Sequence, residues 1–184
     1  MEPSEKIKSI KIKYRIAQRE AVKKAAEELA QIIPEIIRLR TRQEGQGTNG
    51  QLKELSESYI KQRAGEIAFY TIGKGSDRKV IPYKPSSAPD LHPDTTPSKS
   101  NLTATGQLLD SITGKRAGDR VNISLKGKRK KELSGAKSKL TNDEVGKYVR
   151  ENGREFLKLS VDEKQEAIDL ATQIILEQIK DALK

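Results

Sequence analysis

The chain offers one imidazole and no thiol. His92 sits among prolines in Asp90-Leu91-His92-Pro93-Asp94, and cysteine is absent. One loop imidazole supports neither a Ser–His–Asp relay nor a zinc site, and a disulfide framework is excluded outright. Carboxylates are plentiful. On helical stretches, however, they interleave with lysine, the pattern of solvated ion pairs rather than of an acid–base dyad. Asp110 and Glu144 would be the first carboxylates to test if turnover were found. Gly45-Gln46-Gly47 and Gly73-Lys74-Gly75-Ser76 are only fragments of phosphate loops. Neither completes the dinucleotide fingerprint or the spacing that ends in Gly-Lys-Ser/Thr. This inventory lacks recognisable catalytic parts, so the expectation is a protein without enzymatic activity, metal or cofactor.

Positive charge is what the chain has in excess, a formal +10. It gathers at Lys74, Arg78 and Lys79, and again at Lys126, Lys128, Arg129, Lys130 and Lys131 in a run with Glu132 as its one acid. Such a balance favours an anionic neighbour, with a solvated basic surface as the bland alternative. No aromatic interleaves the second run. Contact with nucleic acid there would be to phosphates, salt-sensitive and indifferent to sequence.

Several elements must carry these groups. Residues 7–16 fit a strand through the alternation of Ile10, Ile12, Tyr14 and Ile16, and a helix through Ile7, Ile10 and Tyr14. From Ala17 the helix reading wins, because Ala17, Ala21, Ala25, Leu29 and Ile33 recur every four residues. That small-residue stripe permits close packing. Pro34 is expected to kink or interrupt the helix, which should end near Arg40. A glycine-rich turn at 45–50 precedes a short helix carrying Leu52, Leu55, Tyr59 and Ile60, with Ser56 as N-cap. Residues 67–72 and 80–83 read as a hairpin with a basic tip. Residues 84–101 form a Pro/Ser-rich loop, expected to lie on another element or another subunit.

Thr105-Gly106 should cap and open a short helix bearing Leu108, Leu109 and Ile112. Val121, Ile123 and Leu125 alternate as a half-buried strand, and a mobile Lys-rich loop is expected over 126–140. Thr141-Asn142-Asp143-Glu144 and Ser160-Val161-Asp162-Glu163 are capping boxes. The second opens a terminal helix with Ala167, Ile168, Ala171, Ile174, Ile175, Ile179 and Leu183 on one side. The fold expected is α+β, a single domain over 1–184. Long N- and C-terminal amphipathic helices would pack on a small, mainly antiparallel sheet with extended loops. No apolar run is long enough to span a membrane. Hydrophobic residues are 34% of the chain and aromatics 4%, a thin core that points to loops or to apolar surface shared between subunits.

Three stretches together resemble the tail-completion and neck proteins of tailed phages, the Mu-like virion morphogenesis group included. One is Gln51-Leu52-Lys53-Glu54-Leu55-Ser56-Glu57-Ser58-Tyr59-Ile60-Lys61 after its glycine turn. The most specific runs from Pro97 to Ile112 and contains Leu102-Thr103-Ala104-Thr105-Gly106-Gln107-Leu108-Leu109-Asp110-Ser111-Ile112. It is similar to that group's Leu-Thr-x-Thr-Gly-x-Leu-x-x-Ser-Ile signature. The third is Val145-Gly146-Lys147-Tyr148 through Asn152-Gly153-Arg154-Glu155-Phe156-Leu157, with Glu155 where the group usually has proline. The signature residues carried over are Leu102, Thr105, Gly106, Leu109, Ser111, Ile112, Gly153, Arg154 and Phe156.

The resemblance implies a structural subunit of the virion neck, assembled in the host cytoplasm. It also implies a homo-oligomeric ring, a hexamer with a dodecamer as the alternative, around non-specifically held phage DNA. Head-completion or adaptor and tail-tube proteins would be its neighbours, with no membrane involved. Lys74, Arg78, Lys79, Lys126, Lys128, Arg129, Lys130 and Lys131 become candidate contacts with the DNA channel or the next ring. The alternative is a small basic DNA- or RNA-binding accessory protein.

Overall fold

The computed structural model describes residues 3–73, 75–130 and 139–184. The fold is α+β, with the long helices at the chain ends. The span read as one domain divides into two compact units: Met1–Ile37, Thr113–Ser124 and Leu157–Lys184 form the first, Arg38–Ile112 and Leu125–Phe156 the second. Among the described residues the strands form three separate two-stranded sheets rather than one.

In the first unit, α1 (Pro3–Leu39) settles the ambiguity of residues 7–16 in favour of helix and continues without interruption across Pro34. Ala21, Ala25, Ala26, Ala30, Ile33 and Ile37 are its buried face. Proline withholds the amide that the carbonyl four residues earlier would accept, here Ala30. Against that carbonyl lies Gly114, on a hairpin of β5 (Ile112–Ala117) and β6 (Arg120–Leu125). A Cβ on Gly114 would stand 2.0 Å from the Ala30 oxygen, so the glycine hydrogen faces it and supplies a weak C–H contact. This explains why α1 continues across Pro34 and why its inner stripe is alanine: the strand backbone lies against the helix backbone. Arg116 Nε to Glu27 Oε1, 3.1 Å, closes the same face. α5 (Val161–Ala182) completes the unit and starts with the expected box: Glu163 N donates to Ser160 Oγ at 3.2 Å and Ser160 N to Glu163 Oε2 at 2.7 Å. Of the seven apolar residues expected inward on α5, Ala167 and Ile174 are buried, while Ile168 is 57% exposed. β5 has no counterpart in the sequence reading, because Thr113-Gly114-Lys115-Arg116 shows no apolar alternation.

The second unit begins where α1 passes into a π-helical turn, Arg40–Glu44, closed by Gly45 at φ 67°. A minimal hairpin follows, β1 (Gln46–Gly47) paired antiparallel with β2 (Gly50–Gln51). Then α2 (Glu57–Arg63) starts at its expected cap, with Tyr59 N donating to Ser56 Oγ at 3.4 Å; Leu52 lies before it, buried in coil. β3 (Ala68–Ile72) and β4 (Lys79–Tyr83) form the expected hairpin, in register from Ala68↔Tyr83 to Ile72↔Lys79. α3 (Gln107–Asp110) is shorter than read, and Ile112 opens β5 instead. α4 (Asn142–Glu151) carries the Thr141–Glu144 box in full.

Candidate assembly surfaces

Three arginines two residues apart turn the end of α1 into a clamp. Arg38 donates from Nε to the Leu109 carbonyl at 3.1 Å and from Nη2 to the Ile112 carbonyl. Arg40 Nη2 reaches the Phe156 carbonyl at 2.8 Å. Arg42 pairs with Asp110 and stands 3.7 Å from Asp94. An α-helix would rotate alternate side chains some 200° apart; the π turn alters that registry after Leu39. Leu109, Ile112 and Phe156 are completely buried at the ends of this clamp.

The three quoted segments also meet at one backbone carbonyl. Lys53 O accepts from Ser100 Oγ at 2.7 Å and from Arg154 Nε at 3.1 Å, while Arg154 Nη2 donates to Glu54 O at 2.9 Å. Thus Arg154 of the third segment and Ser100 of the second both hold the first. Gly106 takes φ 72° at the start of α3, and a Cβ there would come 2.7 Å from the His92 ring. That position therefore needs glycine twice over. No side chain caps α3, so the capping role expected of Thr105 is not realised. Ser111 Oγ donates to Leu108 O at 2.7 Å, and Ser111 O accepts from Lys126 N at 2.9 Å. Leu102 holds φ 55°, the only non-glycine with positive φ among the described residues. Gly153, at φ 79°, turns the chain out of α4.

The Pro/Ser-rich stretch has neither helix nor strand, yet it lies on this unit through buried polar side chains. Arg63, 2% exposed, donates to Lys99 O at 2.9 Å, Thr96 O at 2.7 Å and Thr95 Oγ1 at 2.7 Å. Burial without a carboxylate partner pushes its guanidinium below the usual value. Fully buried Asn101 donates to Arg42 O and Asp94 O, both at 2.9 Å, and accepts from Thr95 Oγ1 at 2.7 Å. His92 belongs to this scaffold: Nδ1 accepts the Asp94 amide at 3.2 Å, and its own amide donates to Ala104 O at 3.1 Å. The arginines, Arg63 and Asn101 were missed in the sequence. The one signal was Ile-Ile-Arg-Leu-Arg-Thr-Arg closing an apolar helix pattern.

The predicted basic residues fall on two elements. Arg78 and Lys79 are exposed at the β3–β4 tip; Lys126, Lys128 and Lys130 are exposed, and Arg129 half-buried, between β6 and α4. Lys74 and Lys131 lie outside the described residues. In residues 126–130, the described start of the Lys-rich loop, Lys130 N donates to Gln107 Oε1 at 2.6 Å, Arg129 N to Leu140 O at 3.2 Å, and Asn142 Nδ2 to Lys126 O at 3.0 Å. Beside it opens a groove of about 980 Å³, lined by Leu102, Leu108 and Val145 and by Arg129, Glu144 and Arg154. Two Thr141 hydrogen bonds, the backbone one first, hold the Glu144 carboxyl below its ordinary value. Among the described residues no group of His, Cys, Asp and Glu could hold a metal ion, and no helix is long and apolar enough to cross a membrane.

Set against protein-family models, curated proteins and solved structures, the chain matches none.

Proposed function

We propose that this chain is a non-enzymatic structural subunit of a tailed-phage neck, one copy of a ring that joins tail to head around the DNA channel. The observation that carries the reading is apolar surface left open on the terminal helices. Ile7, Ile10, Ile12, Tyr14 and Ile16 of α1 are 44–60% exposed, and Val161, Ile168, Leu176 and Leu183 at α5 are 50–80% exposed. Large apolar side chains exposed in lines along two helices mark interaction surfaces, and a closed ring of identical copies covers them with no further protein. The meeting of the three family-like segments at Lys53 O supports the narrower assignment to the tail-completion group. Arg78, Lys79, Lys126, Lys128, Arg129 and Lys130 then hold passing DNA by screened, non-specific attraction, or meet acidic patches of the adjoining ring.

Sedimentation velocity and negative-stain images of the full chain test this. Closed rings with a central hole are expected, together with label at the neck of intact particles from antibody against the chain. A single-copy species at every concentration, absent from particles, overturns it. The exposed basic clusters favour one second reading, a DNA- or RNA-binding accessory protein. Tight, salt-dependent binding of duplex by lone chains would establish that instead.

A further inference from the structure

The open surfaces of α1 and α5 are opposite in charge. From Glu5 to Glu20 every side chain described is exposed except Ala17, which is half-buried. This stretch carries six Lys or Arg against two Glu. Ile7, Ile10 and Tyr14 line one side of it, at helical spacings of three and four; Ile12 and Ile16 line the other. An unpacked helix of about 15 residues is marginal in water, so this arm needs a cover. α5 presents the complement. Val161, Ile168, Leu176 and its C-cap Leu183 recur at seven or eight residues, turned away from buried Ala167 and Ile174. The helix holds six Asp or Glu against two Lys, and Asp162, Glu166, Asp169 and Glu177 flank the exposed line on one side. At 1.5 Å per residue the arm is about 24 Å long and α5 about 33 Å, so one can lie along the other.

We propose that the basic, isoleucine-lined arm of α1 docks on the acidic, apolar line of α5 in a second copy of this chain. Within one chain both surfaces are exposed, so they do not cover each other. Arm on arm, or α5 on α5, sets like charges against like; arm on α5 pairs them and buries both apolar lines. Each copy then has one donor surface and one acceptor surface, and such a head-to-tail contact propagates until it closes. The inference deepens the ring reading above and rests on it for closure, though not for the pairing itself.

The test uses two full-length variants, each blocked on one surface. One carries Ile10→Asp and Ile12→Asp, the other Ile168→Asp and Leu176→Asp; all four positions are more than half exposed. Both should melt like the parent chain by circular dichroism. Each alone should sediment as a single chain. Mixed in equal amounts they should form a complex of two chains that grows no further, because one intact arm meets one intact α5. A charge exchange gives an independent readout: Asp162→Lys with Asp169→Lys should abolish assembly, and adding Lys11→Glu with Lys13→Glu in the same chain should restore it. Unchanged assembly of either blocked variant, a mixture that stays single-chain, or a parent chain that never self-associates overturns the pairing. So does loss of duplex-DNA binding in the arm variant with no change in assembly. Closed rings that persist in both variants sink the pairing and leave the ring. A mixed two-chain complex from a parent that never closes sinks the ring and leaves the pairing.

Discussion

The two units are stabilised by different means. In the first, five of the eight buried apolar residues among those described are alanines, and several larger side chains, Ile7 to Ile16 of α1 and Ile168 and Leu176 of α5 among them, are exposed. In the second, Leu109, Ile112 and Phe156 are sealed completely, and irregular backbone is held by Arg38, Arg40, Arg63 and Asn101. Apolar burial returns about 25 cal/mol per Å², so a small alanine interface stabilises little on its own. The second unit depends instead on directional bonds from buried side chains to main-chain carbonyls, and leaving such donors unmet is costly. The first unit therefore rests on close backbone packing along an alanine face, the second on fully buried large side chains and directional bonds.

The same chemical change should have opposite results in the two units. Leu109→Asp puts a charge at a site with no exposure and should cost more than about 4 kcal/mol, abolishing soluble folding. Ile168→Asp, at 57% exposure, should shift stability by less than about 0.5 kcal/mol. Soluble yield and thermal melts of the pair decide the matter. Equal losses would mean that α5 is covered within the chain and that the comparison is wrong.

Polar removal should show the reverse dependence. Asn101→Ala strips donors from Arg42 O and Asp94 O and the acceptor from Thr95, at an expected cost of about 3 kcal/mol in urea melts. A loss below about 1 kcal/mol would show that water takes over these bonds and that the second unit does not rest on them. Gly114→Ala asks the smaller question of the first unit. Its methyl would meet the Ala30 carbonyl, a backbone atom that cannot rotate away, so about 1–3 kcal/mol should be lost. Gly146→Ala meets the end of the Leu125 side chain, which can change rotamer where a backbone carbonyl cannot, and should cost less.

What could be read in the sequence follows from where the stabilising information lies. Both capping boxes, the Ser56 cap, the β3–β4 hairpin and the alanine stripe are local patterns, and each is present as read. Pro34 does not interrupt the helix, and the glycine that lies against the Ala30 carbonyl, Gly114, is eighty residues away from it in sequence. Ile168 and Leu183 misled because a helical apolar pattern identifies an apolar face without saying how much of it is buried within the chain. Arg38, Arg40 and the donors of Asn101 were invisible for a further reason: their partners are main-chain carbonyls, which every sequence possesses and none reveals. The basic residues could be listed from composition, but their division between the β3–β4 tip and the β6–α4 connection required the fold.

The smallest effect sharpens the account of the second unit. Glu144 has its pKa lowered by hydrogen bonds from Thr141, and Glu57 has its own lowered by Lys61 one turn away. A carboxyl depressed in the folded state contributes stability above its unfolded pKa, near 4.5, and loses it as pH falls through the folded value. Glu144→Gln keeps a side chain suited to a capping box. Melting at pH 7 should therefore move by no more than about 2 °C, while part of the decline below pH 4.5 should vanish. Glu57→Gln should do the same in dilute buffer, but its share should fade in molar salt, because an exposed pair at i, i+4 is screened. The Glu144 share should persist there, since short hydrogen bonds within a cap are not. Equal salt sensitivity of the two slopes would show that the Thr141 box contributes by charge near the start of α4 rather than by the bonds themselves.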